Sequence, residues 1–231
     1  MKKYKKTIAP IASIVLAIIL VFTSCVFADG SSGFIYTDGN GIEHYVDGDG
    51  HTHTYYDSYG NPISVLDAQF ILNSEIQMST GTIPDIGNQP NYHVIDDTYV
   101  TVNSQTYTYG SAVKVTPDIA GPATITYGIS QTVTWSWSVA ITASLKGIAK
   151  ILLNIDFGIE IENSMSTQTT FAASFPVSEG KIGAVFFSPR LLNVNMTIHD
   201  INTGDSTTTT CHSPVYLGGG FADGLYDLVE W

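Results

Sequence analysis

QTVTWSWSVAITASLKGIAKILLNIDFGIEIENSM (residues 131–165) is the stretch whose reading decides the fold. Val133, Trp135, Trp137, Val139, Ile141, Ala143 and Leu145 take odd positions, and Thr132, Thr134, Ser136, Ser138, Thr142 and Ser144 take even ones. After KGIAK (146–150) the alternation resumes. Ile151, Leu153, Ile155, Phe157, Ile159 and Ile161 are odd, while Asn154, Asp156, Glu160 and Glu162 are even. Successive side chains of a strand point to opposite faces, so the pattern predicts two long strands, each with an apolar and a polar flank. Lys146 and Lys150 fall in the connector, and Leu145, Ile148 and Ile151 would form an apolar tip. Two other arrangements fit the same letters. Central strands of a soluble antiparallel sheet alternate in this way. ASLKGIAKILLNI (143–155) also suits an amphipathic helix, because Leu145, Ala149 and Leu152 recur at helical spacing.

Outward from this stretch, the downstream chain predicts an all-β fold, either an antiparallel sandwich or an elongated β-protein. Strand candidates from Tyr99 onward are YVTVNSQTYTYG, ATITYG, TTFAASFPV, GAVFFS, LNVNMTIH and STTTTC, punctuated by turn residues and without alternating helices. Residues 99–231 are read as one all-β domain. Upstream, residues 66–98 read as a short helix and a linker. Ser64 with Asp67 can cap that helix, and Leu66, Phe70 and Asn73 then share a side.

Residues 29–65 read as a β-hairpin meander. FIYT, IEHYV, HTHTYY and PISV are separated by DGNG, DGDG and DSYGN, with Asp38, Asp47 and Asp57 nine and ten residues apart. An even hairpin closure over Asp47–Gly50 would set Val46 opposite His51, Tyr45 opposite Thr52 and His44 opposite His53. His44, His51 and His53 would then share one face, able to offer three imidazoles to zinc. Phe34, Tyr36, Tyr45 and Tyr56 would form the other face, a platform for packing or for a cell-surface glycan. HTHTYYDSYGNPI (51–63) bears a similarity, a dozen residues long, to the aromatic hairpins of choline- and glucan-binding repeats, without their tryptophans.

Residues 1–28 read as a secretory signal: Lys2, Lys3, Lys5 and Lys6, then an apolar run to Phe22, then VFA before Asp29. The expected location is extracellular. An uncleaved N-terminal membrane helix and a lipid anchor at Cys25 are the alternatives. Removing this segment leaves five basic against 21 acidic residues, a formal net charge of −16. Such a chain repels phosphate backbones, so no nucleic-acid partner is expected. Cys211 would be the one remaining cysteine, so the fold would rest on its core and not on a disulfide. No nucleophile elbow, Walker loop, dinucleotide fingerprint or HExxH helix occurs, and adjacent Cys211 and His212 would point apart on a strand, so a non-enzymatic role is expected.

Residues 131–165 also resemble the insertion hairpin of aerolysin-type β-pore-forming proteins. The likeness is one of pattern, over about 35 residues. A membrane-crossing β-strand takes about 9–11 residues of such alternation. The resemblance implies a secreted, elongated all-β protein that refolds this hairpin into a target bilayer and oligomerises into a barrel. It implies that Trp135, Trp137, Val139, Ile141, Leu145, Ile151, Phe157, Ile159 and Ile161 meet lipid, with Lys146 and Lys150 at the connector.

Overall fold

The computed structural model describes residues 33–74, 76–77, 92–168 and 170–231. The expected signal segment with Cys25, and residues 78–91 of the expected linker, lie outside these residues. The fold is all-β and antiparallel, apart from one parallel bridge between Ser166 and Phe221, and two helices are among the described residues.

The meander is built by one device used three times. Strands β1 (Phe34–Thr37), β2 (Glu43–Val46) and β3 (Thr52–Asp57) follow one another. After each of them an aspartate closes a five-residue loop. Asp38 Oδ1 accepts the N–H groups of Asn40 and Ile42, Asp47 Oδ1 those of Asp49 and His51, and Asp57 Oδ1 those of Tyr59 and Asn61, all at 2.8–2.9 Å. The fourth residue of each loop is a glycine at φ +82 to +85°, a left-handed position that favours glycine. That glycine adds a residue to the turn, and this corrects the expected register. Val46 pairs with Thr52 and Tyr45 with His53, so His44 lies opposite Thr54.

Helix α1 (Val65–Asn73) follows. Ser64 caps it as the sequence implied: its Oγ accepts the Asp67 N–H at 3.1 Å, and its hydroxyl donates to Asp67 Oδ2 at 2.7 Å. Glu43 Oε2 accepts the Val65 N–H, placing a carboxylate at the helix N-terminus. The buried side is Val65 and Ala68 with Leu72, against Tyr45, Tyr55 and Leu225. Leu66 and Phe70, read as sharing a side, are on the exposed one. The smaller Val65 and Ala68 let the helix lie close to the sheet.

Strands β4 (Ile76–Gln77), β5 (Thr98–Tyr109), β6 (Val113–Lys114), β7 (Ile119–Ala120), β8 (Ala123–Tyr127), β9 (Thr132–Thr134) and β10 (Ser136–Trp137) lead to helix α2 (Ala143–Phe157). Then come β11 (Ser164–Ser166), β12 (Thr170–Val177), β13 (Ile182–Asp200), β14 (Ser206–Pro214), β15 (Tyr216–Gly218), β16 (Phe221–Ala222) and β17 (Gly224–Glu230). Helix α2 corrects the strand expectation over 143–157. GAVFFS and LNVNMTIH are likewise not two strands but parts of the 19-residue β13.

Strand β13 organises the sheet. Over its first half β17 pairs along one edge and β6 and β7 along the other; over its second half β14 and β5 take those places. Strand β17 pairs in turn with β3, so the chain's last strand joins the meander to the main sheet. Side chains of β13 alternate. Val185 and Phe187 point into a core shared with β8 and β12, built on Phe171, Phe175, Tyr226 and Leu228. Val194, Met196 and Ile198 point into a second core beneath α2.

Gly224 faces Pro189 where β17 meets β13. A Cβ there would stand 2.4 Å from the Ser188 carbonyl oxygen and from the Phe187 ring. The carbonyl belongs to the central strand and cannot swing away. Gly224→Ala is expected to cost about 1–3 kcal/mol of stability, read as a lower urea midpoint with an unchanged slope.

Candidate functional site

The segment 131–165 forms a short hairpin stem with a helix in place of its arms. Thr134 pairs with Ser164, Val133 with Met165 and Thr132 with Ser166. The Trp135 N–H continues the ladder to the Asn163 carbonyl at 2.9 Å. Beyond that point the two arms part. Ser136 and Trp137 pair with His212 and Cys211 on β14, and α2 begins at Ala143.

Local chemistry accounts for the helix. Thr142 is its N-cap, with Oγ1 accepting the Leu145 N–H at 3.3 Å. Gly158, at φ +65°, ends it and returns its N–H to the Asn154 carbonyl. Ile148, Ala149, Leu152 and Leu153 are buried at helical spacing against Val100, Val194, Met196, Ile198 and Cys211. Ile159 and Ile161 follow as irregular chain and are buried in the same core. Burial pushes the Cys211 thiol up to about 12 despite the nearby Lys146 and Lys150. His212 lies on the other face, bonded to Asn193, so the two make no dyad.

The expected insertion residues thus divide in two. Trp135 and Trp137 meet edge to face at 5.4 Å and, with Ile141, Leu145 and Phe157, pack at the border of the second core. Val139 and Ile151 are exposed, and so is Ile155 beside them, the two isoleucines at 48% and 51%. Lys150 reaches Asn163 Oδ1 at 3.3 Å. An open cavity of about 620 Å³ lies beside the helix between Ile151, Ile155, Glu160 and Glu162. Among the described residues no helix is long and apolar enough to cross a membrane, which leaves strand-built spans aside.

Helix α2 also contains features that oppose it. Its first turn has no acid and its last turn no base; instead Lys146 sits near the start and Asp156 near the end. Both charges face the wrong end of the helix dipole, at a cost of about 0.3–1 kcal/mol each. Gly147 lies inside the helix although a Cβ there would meet nothing within 4 Å. The indole N–H of Trp137 is buried without a hydrogen-bond partner, a cost of about 1–3 kcal/mol.

The three histidines of the meander do not share one face. The extra residue in the Asp47 loop puts His44 and His53 on opposite faces of the sheet. His44 bonds Thr54 Oγ1 at 2.7 Å and stacks on Tyr36. His53 bonds Asp227 Oδ2 at 2.8 Å and lies 3.4 Å from Asp47 Oδ2, while His51 is 3.5 Å from the same Asp47 oxygen. Among the described residues no set of three His, Cys, Asp or Glu side chains could hold a metal ion. The single face expected for His44, His51 and His53 is therefore not formed, and the bulged turn is the reason. The expected aromatic face is split too. Tyr45 lies under α1 on one face, while Phe34, Tyr36 and Tyr56 share the opposite face, where Tyr56 is buried against Phe175.

The chain matches no protein-family model, no curated protein and no solved structure.

Two measurements test these local accounts. Gly147→Ala is expected to raise stability by about 1 kcal/mol, seen as a higher urea midpoint. The second concerns His53. Burial pulls its pKa down, but the bonded carboxylates of Asp227 and Asp47 outweigh that and hold it above the usual histidine value. A pKa raised on folding gives stability that is complete below the unfolded value, near 6.5, and is lost as pH rises through the folded one. Between pH 6 and 9 the wild type should lose this increment, and His53→Gln should not, in parallel urea titrations.

Proposed function

We propose that this is an exported, non-enzymatic membrane-interacting protein whose residues 131–165 refold from stem and helix into a bilayer-spanning β-hairpin. One observation carries the reading: the register of the stem. Continued without a shift past Thr134–Ser164 and Trp135–Asn163, it sets Trp137 opposite Ile161, Val139 opposite Ile159 and Ile141 opposite Phe157. Next come Ala143 with Ile155, Leu145 with Leu153 and Gly147 with Ile151, leaving Ile148–Lys150 as a three-residue turn. Every one of these pairs falls on the same side. The other side carries Ser136 with Glu162, Ser138 with Glu160, Thr142 with Asp156 and Ser144 with Asn154. The stem register thus yields one apolar and one polar face, with Lys146 and Lys150 beside the tip. Each arm exceeds the 9–11 residues or so that a tilted spanning strand needs.

The helix explains Ile148, Ala149, Leu152 and Leu153 but gives no packing role to the exposed Ile151 and Ile155. The hairpin gives both a place against lipid. A lone hairpin would leave edge N–H and C=O groups unsatisfied in hydrocarbon, so insertion requires several copies of the chain closing a barrel. The acidic lumen face would then be wetted.

Dye release from liposomes tests this. Ile155→Asp should cost no more than about 1 kcal/mol of stability, because the site is exposed in the soluble fold and the new charge opposes only the helix dipole, yet abolish release, because the charge would face lipid. Asn154→Asp, exposed in the soluble fold and lumenal in the hairpin, should release dye as the wild type does. Absence of release by the wild type at every pH and protein concentration, or release by Ile155→Asp at the wild-type rate, would refute the reading.

A further inference from the structure

We propose that the short arm Tyr92–Ile95 is a strap that holds α2 on the sheet, with His93 as its clasp. Its consequence for insertion rests on the reading of α2 given above; the strap itself does not. The arm is fixed to the sheet at one end. Ile95 and Thr98 exchange both backbone hydrogen bonds at 2.9 Å across Asp96 and Asp97, whose φ values of 47° and 56° make a tight hairpin turn. Asp97 is tied to the far end of β13: its carbonyl accepts the Ile201 N–H at 2.8 Å and its carboxylate accepts the Asn202 amide at 2.6 Å. Ile95 packs on the second core, and Tyr92 stacks on Tyr99, which stacks on His199. The strap therefore moves with the rigid sheet.

At its other end the strap grips the last turn of α2. The Asp156 carboxylate accepts the His93 imidazole Nδ1–H at 2.6 Å, and the His93 backbone N–H approaches both carboxylate oxygens at 3.3–3.4 Å. The Asp156 side chain is only 7% exposed, whereas that of His93 is 62% exposed. Asp156 is the residue that most opposes a helix C-terminus, and His93 is the group that satisfies it. The bond joins chain positions 63 residues apart, so it ties the end of α2 to the start of β5 rather than reinforcing the helix locally. Losing it leaves a sequestered carboxylate beside helix carbonyls, and the cheapest relief is for the last turns of α2 to open.

Amide hydrogen exchange on the intact protein tests the strap without a membrane. In His93→Ala the α2 amides should exchange at least tenfold faster while those of β13 keep their protection. His93→Asn, which keeps an N–H donor near the Nδ1 position, should restore most of the wild-type protection. Dye release by His93→Ala should be several-fold faster than by the wild type. Unchanged exchange in α2 would overturn the strap. So would an equal loss across α2 and β13, which would mean general destabilisation. Faster α2 exchange with no release from any form would uphold the strap and overturn the insertion reading instead.

Discussion

The rest of the structure depends on the continuous 19-residue course of β13. A strand has two edges, and this one uses each of them twice. Pro189 marks the joint. It lacks an N–H, and its carbonyl, which accepts the Gly110 N–H at 2.7 Å, points to the edge where β5 has ended at Tyr109 and β6 has yet to begin at Val113. A missing donor costs little there, because no strand offers an acceptor opposite it. On the other edge Arg190 makes the handover: its N–H reaches the Asp223 carbonyl and its carbonyl takes the Val215 N–H, joining the end of β14 to the start of β17. The Arg190 guanidinium then lies 4.0 Å from the Tyr107 ring centroid and 3.2 Å from Asp223, which fixes the joint laterally.

From that strand the layers follow by alternation. Odd residues of the first half meet the β8–β12 pair. Even residues of the second half meet α2. The odd residues of the second half, Asn193, Asn195, Thr197 and His199, bond to Thr108, Thr210, Thr208 and Ser206 on neighbouring strands and form an uncharged polar face. A single backbone ladder thus positions both cores, and it also supplies the surface on which α2 rests.

The legible parts of this fold were those where local chemistry and tertiary packing agree. The Ser64 cap, the aspartate–glycine turns and the period-two runs of β5, β8, β12 and β14 could all be read from the chain. Strand β17 could not, because GLYDLVE is buried on nearly every residue and so shows no alternation. The histidine register failed by one residue, since Gly50 takes a bulge position that an even turn does not contain. Pro189 hid the continuity of β13. Helix α2 was legible only as one of three arrangements. Its buried residues 148, 149, 152 and 153 mix odd and even positions, while the odd positions from Val133 to Ile161 remain apolar.

That double periodicity is the strongest physical constraint on what residues 131–165 are for. A helix docked on a sheet needs one apolar stripe and is indifferent to parity. A soluble strand pair would need parity but no stripe at 148, 149, 152 and 153. Here both patterns are satisfied, and the conflicts are confined to one place: Ile148 and Leu152, the apolar residues on the polar parity besides Ala140, adjoin the Ile148–Lys150 tip. At a tip they would leave the spanning region before their side chains mattered. The costs of the helix fall where a second state would relieve them. Lys146 and Asp156 would no longer face a dipole, Gly147 would stand beside a turn, and the Trp137 indole N–H would reach an interface suited to it. The exposed Ile151 and Ile155, the Lys146 charge near the helix start and a glycine where a methyl group would fit are features that docking of the helix alone does not require.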